Sequence, residues 1–192
     1  MGRKLYIYDT NDDINREQAA GRFGDDPDVT TLPVGSIDQL HDFLANLVSN
    51  RTTFDRMLVQ THGDPGTIYF GDKAMGSLVL DSDFAIKDYY KLFPGYTSIY
   101  FDGCRVAMGE SGSDFLRSAG AAFLRGLGGR TFGYTNYGYG FPGWVPVIGG
   151  HTLHVLGQMK RFDFGPGSVL LQESPVSLFD PPHGTDNVGN KI

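Results

Sequence analysis

The sequence predicts an α/β domain with a mostly parallel sheet of about six strands and helices on both faces. Three observations predict it. Short apolar, β-branched or aromatic runs alternate along the chain with segments of helical periodicity, the pattern of strands joined by helical crossovers. Hydrophobic residues make up 40% of the 192 residues and charged residues 20%, enough apolar material for one core. Turn chemistry (Asp-Gly, Pro-Gly and Gly-Gly pairs) falls between the runs and not inside them.

Taken in order, Lys4–Tyr8 reads as a strand closed by the polar cluster Asp9 to Asp13, and residues 14 to 28 as a short helix or loop. Val29–Val34 is a second strand, confined to a sheet edge because Pro33 has no N–H to donate. Ser36 has the character of an N-cap, with Gln39 three residues on. Ile37, Leu40, Leu44 and Leu47 recur at helical spacing, so residues 37 to 48 form an amphipathic helix ended by Asn50. Phe54–Thr61 is a strand followed by the turn His62-Gly63-Asp64-Pro65-Gly66.

Thr67–Phe70 and Ser77–Leu80 read as further strands, and residues 82 to 93 as a helix closed by Pro94-Gly95. Ser98–Phe101 is a buried strand leading into Asp102-Gly103-Cys104. Residues 113 to 125 form a helix capped by Ser113, and Arg130–Tyr134 is the next strand. Val155–Met159 and Ser168–Leu171 add strands late in the chain. The expected organisation is one domain over residues 1–180 and a loose polar tail over 181–192.

The composition excludes some functions. A net charge of −6 with no basic cluster argues against a nucleic-acid partner, whose phosphates require one. No apolar run reaches the length of a membrane span. The N-terminal apolar stretch is too short for a secretory signal, so the expected location is cytoplasmic, or outside by a leaderless route. Met1-Gly2 begins like an acylation motif, but Tyr6 stands where Ser or Thr is required. The single cysteine, Cys104, rules out an internal disulfide.

In an open α/β sheet, functional residues gather outside the carboxyl ends of the strands. Two segments deliver reactive side chains there: Met57 to Thr61 ends in His62-Gly63, and Ser98 to Phe101 in Asp102-Gly103-Cys104. An imidazole beside a thiol can take its proton and later return one to a leaving amine. Backbone N–H groups of Gly63 and Cys104 are suited to an oxyanion hole. The stretch Tyr134 to Phe141 starts at the next strand's end, so Thr135, Asn136 and Tyr137, with Asp102, are candidates for substrate contact. Trp144 can close over them.

An apolar strand ending in His-Gly, and a second ending in acidic-small-Cys, resembles the signature of the caspase, gingipain, legumain and separase group of cysteine peptidases. Cys104-Arg105-Val106-Ala107-Met108-Gly109 with Phe115-Leu116 looks like the small caspase-like domains of large bacterial proteins. The resemblance covers about residues 54 to 135. It implies a caspase-like three-layer sandwich, a catalytic dyad of His62 and Cys104, Gly63 at the oxyanion, a peptide or protein substrate and no cofactor. The caspase pentapeptide is replaced by Asp-Gly-Cys-Arg-Val, so cleavage after Asp is not implied.

Blander readings apply elsewhere. His41 is expected to be structural. His151 and His154 face opposite ways in a strand and lack a third ligand, so no metal site is expected. Gly109 to Ser113 superficially matches a nucleophile elbow, but helix capping explains its serines better. A binding module that keeps the scaffold without turnover is the alternative to a peptidase. A thiol hydrolase acting on a non-protein amide or acyl bond is another.

Overall fold

The computed structural model describes residues 3–13, 15–17, 27–136 and 158–176. Among these residues the centre is a seven-stranded sheet. β1 (Lys4–Asp9) lies between β2 (Val29–Val34) and β3 (Arg56–Gln60), and β3 pairs with β7 (Thr97–Asp102), which pairs with β8 (Gly129–Tyr134). All four pairings are parallel. β9 (Met159–Gly165) runs antiparallel to β8, and β10 (Val169–Val176) antiparallel to β9. β2 is an edge strand, as Pro33 requires. A separate small sheet holds β4 (Gly63–Asp64), β5 (Thr67–Phe70) and β6 (Lys73–Gly76) in antiparallel order.

The period-two alternation of each strand divides the core by face. Leu5 and Ile7, Met57 and Val59, and Ile99 and Phe101 join Phe162 and Phe164 beneath the helices. Tyr6, Leu58, Tyr100, Phe132 and Tyr134 form a second buried cluster on the opposite face. There the rings of Tyr100 and Phe132 stack 4.4 Å apart. Helix α1 (Ile37–Ser49) packs on the first face through Ile37, Leu40 and Leu44. Helix α2 (Gly109–Phe123) packs there through Phe115, Leu116, Ala119 and Phe123. It lies close enough that a Cβ at Gly120 would sit 2.2 Å from the Phe164 ring. On the opposite face the Gln60 amide donates to Oδ1 of the helical residue Asn15 at 3.2 Å.

Ser36 caps α1, its hydroxyl accepting from the Gln39 N–H at 3.1 Å. Gln39 reaches back to the N–H of Gly35, one residue beyond the usual capping-box partner, at 2.7 Å. Three local expectations are corrected. Residues 77–80 are helical, running from Ser77–Val79 into a π-helical turn at Leu80–Phe84. Residues 82 to 93 are not one helix: that turn gives way to a 3-10 turn at Asp88–Leu92. Phe84, Tyr89, Leu92 and Phe93 are nonetheless buried, so the apolar side chains set the packing while the backbone bends to deliver them. Helix α2 starts at Gly109 with Met108 as N-cap, which puts Ser113 inside it.

The expected strand at Ser168–Leu171 exists but extends to Val176, while most of Val155–Met159 lies outside the described residues. So does the expected tail, 181–192. No described helix is long and apolar enough to cross a membrane.

Candidate active site

β3 and β7 are hydrogen-bonded neighbours, with Gln60 opposite Asp102. Two residues beyond each end stand His62 and Cys104, at the carboxyl edge of the sheet. The loops that carry them are in direct backbone contact. A Cβ added to Gly63 would lie 2.8 Å from the Cys104 carbonyl oxygen and 2.9 Å from Gly103 Cα. Only glycine allows the two chains to approach so closely. The Thr61 N–H donates to the Asp102 carbonyl at 3.4 Å, continuing the sheet contact to the loops.

The His62 carbonyl accepts from the Tyr69 N–H of β5 at 3.2 Å and from the Thr61 hydroxyl at 2.5 Å. With the backbone held from behind, the imidazole stands outward, its side chain 65% exposed. It meets a residue that no local sequence signal marks. His62 Nε2 is hydrogen-bonded to Asp12 Oδ2, and the Asp12 side chain is only 17% exposed. The other Asp12 oxygen accepts from the Asn15 N–H at 2.8 Å, an N-cap interaction.

The turn that delivers Asp12 is itself braced. Asp9, buried at the end of β1, accepts from the Asn11 N–H, the Asn11 side-chain amide and the Gly71 N–H. The Asn11 amide also donates to the Gly35 carbonyl at 2.9 Å. The carboxylate is thus fixed from two sides before it meets the ring.

Cys104 is half-buried. Its loop is held by the end of β8: the Arg105 N–H donates to the Asn136 carbonyl at 2.9 Å and the Ala107 N–H to that of Tyr134 at 2.8 Å. Arg105 adopts a left-handed backbone, φ 57°. Its guanidinium bonds Asp64 Oδ1 at 2.8 Å, and the Tyr69 hydroxyl donates to the other Asp64 oxygen at 3.1 Å. Burial, together with that bond, pushes the Tyr69 hydroxyl pKa above its usual value.

The remaining candidates divide. Asp102 closes β7 beside the cysteine loop. The Thr135 hydroxyl donates to the Gln158 carbonyl at 3.1 Å, and Asn136 Oδ1 accepts from the Gln158 N–H at 3.1 Å. These side-chain groups therefore brace the approach to β9, a role their loop position did not suggest. Tyr137, Trp144, His151 and His154 lie outside the described residues. Among the described residues no three His, Cys, Asp or Glu side chains gather as a metal site.

His41 is half-buried, its Nδ1 2.8 Å from the Tyr89 hydroxyl and its ring stacked on Phe84 at 4.3 Å. The Ser113 hydroxyl accepts from Lys160 at 2.6 Å and donates to Glu173 at 3.0 Å, tying α2 to the β9–β10 hairpin. It does not cap the helix.

Chemically, the Asp12 carboxylate favours the tautomer with the proton on Nε2, which leaves Nδ1 as the basic nitrogen of the ring. A thiol, a base and a carboxylate that orients the base are the parts of a nucleophilic centre. No protein-family model matches the chain, and no curated protein matches it.

Proposed function

We propose that this chain is a cysteine peptidase with a caspase-like fold, in which Cys104 is the nucleophile, His62 the proton carrier and Asp12 the group that orients His62. The observation that carries the reading is the backbone contact of Gly63 with Gly103 and Cys104, which joins the two reactive loops at one sheet edge. The Asp12–His62 bond supports it independently.

In the reaction, the Cys104 thiol gives its proton to His62 Nδ1, and the sulfur attacks the substrate carbonyl carbon. The carbonyl electrons move to oxygen, where the N–H groups of Gly63 and Cys104 serve as donors. The tetrahedral intermediate collapses, the C–N bond breaks, and the amine leaves with the proton from His62. Water, deprotonated by the same ring, then hydrolyses the thioester to release the acid and restore the thiol. Asp12 stabilises the imidazolium at each stage. An extended peptide would run past Asp102, Thr135 and Asn136.

Alkylation tests the reading. Iodoacetamide or a peptide electrophile should label Cys104 rapidly near neutral pH and at least about tenfold more slowly in His62→Ala. Equal, slow labelling of both proteins would overturn it and favour a scaffold that only binds. Labelling that depends on His62, with turnover of small esters but of no peptide library, would instead assign the thiol to a non-protein substrate.

A further inference from the structure

We propose that the Arg105–Asp64 ion pair is a clamp that sets the spacing of the cysteine-bearing and histidine-bearing loops, making both residues positioning residues for the thiol. The inference rests on the Cys104–His62 reading above. Arg105 directly follows Cys104, and Asp64 lies two residues after His62. Their 2.8 Å bond therefore joins the loop that carries the thiol to the loop that carries the imidazole.

Further ties between the two loops run through the backbone. The Thr61 N–H meets the Asp102 carbonyl, and the Gly66 N–H meets that of Val106 at 3.0 Å. The ion pair sits between these ties and joins the loops through side chains. Both of its ends are themselves fixed. Asp64 is held by the Tyr69 hydroxyl, whose own N–H secures the His62 carbonyl. Arg105 is held by its N–H to Asn136 and by a left-handed backbone that non-glycine residues rarely adopt. Because the pair is partly exposed, its side chains 32% and 51% accessible, it contributes little to folding. Its effect lies in geometry.

The test is the alkylation rate of Cys104 and its pH midpoint in three variants of the full chain. With a clamp, Arg105→Ala and Asp64→Ala both slow labelling at neutral pH, each by roughly tenfold, and both displace its pH profile. The exchanged pair, Asp64→Arg with Arg105→Asp, restores most of the rate, since aspartate tolerates the left-handed backbone. If Arg105 instead acts on the sulfur through its charge, Asp64→Ala unmasks that charge and labelling accelerates, which overturns the proposal. Failure of the exchanged pair to recover overturns it too, provided its melting temperature matches that of the single variants. The His62→Ala control separates the two readings. Unchanged labelling in that variant removes the dyad, whereas slowed labelling there with unaffected Arg105 and Asp64 variants removes the clamp alone.

Discussion

Asp12 and His62 lie fifty residues apart in the chain and share a hydrogen bond between carboxylate and imidazole. The bond selects the ring tautomer and couples the turn after β1 to the loop after β3.

Asp12→Asn should preserve the fold and impair the site. Asparagine caps a helix about as well as aspartate, so the contact with the Asn15 N–H survives and the melting temperature should hardly move. In the proposed mechanism the charge that would stabilise the imidazolium is lost, and the amide can donate to Nε2 and favour the wrong tautomer. Cys104 alkylation should fall by roughly tenfold or more at neutral pH. A rate equal to wild type would show that the carboxylate has no part in the chemistry.

Gly63→Ala and Gly95→Ala form a matched pair. At Gly63 the new methyl meets backbone of Gly103 and Cys104 at 2.8–2.9 Å, atoms that cannot rotate away. Separating the loops should cost about 1–3 kcal/mol, the usual penalty of overpacking, and slow labelling as well. At Gly95 a Cβ would meet nothing within 4 Å. That variant should be neutral or slightly stabilising, and urea denaturation of the two proteins compares them directly. Equal stability would refute the tight approach of the loops.

His41 should make stability depend on pH. Burial lowers its pKa from the usual 6.5, outweighing the carboxylates of Asp83, Asp38 and Asp42. The folded chain therefore binds fewer protons at this site than the unfolded chain as pH falls through 6.5, and stability declines with it. The loss levels off once pH passes below the folded-state value. His41→Gln, which keeps a hydrogen-bonding group near the Tyr89 hydroxyl, should show a smaller drop between pH 7.5 and pH 5. Identical slopes in urea midpoint for the two proteins would sink the claim.

Much of the sheet was legible in the sequence because its signals are local. Val29–Val34 and Thr67–Phe70 match their strands end to end, and the Ser36 cap and the apolar stripe of α1 appear as expected. The positions of His62 and Cys104 were legible too, since a strand followed by a glycine-containing turn fixes where the next side chain emerges. Asp12 was not. It lies in a run of turn-forming residues, and only the parallel pairing of β1 with β3 carries that turn to the imidazole. Ser77–Leu80 was misread because a short apolar run suits a strand or a buried helical turn equally well. Ser113 was misread as a cap because its partners, Lys160 and Glu173, lie far along the chain.

The register of β3 against β7 also constrains how the protein folds. Parallel neighbours cannot be joined by a tight hairpin, and here roughly forty residues of crossover separate Gln60 from its partner Asp102. Closing so long a loop is entropically unfavourable until the flanking strands are seated. The loops that bear His62 and Cys104 are therefore brought together only as the sheet is completed, and the thiol activation proposed above would be absent from nascent or partly unfolded chains.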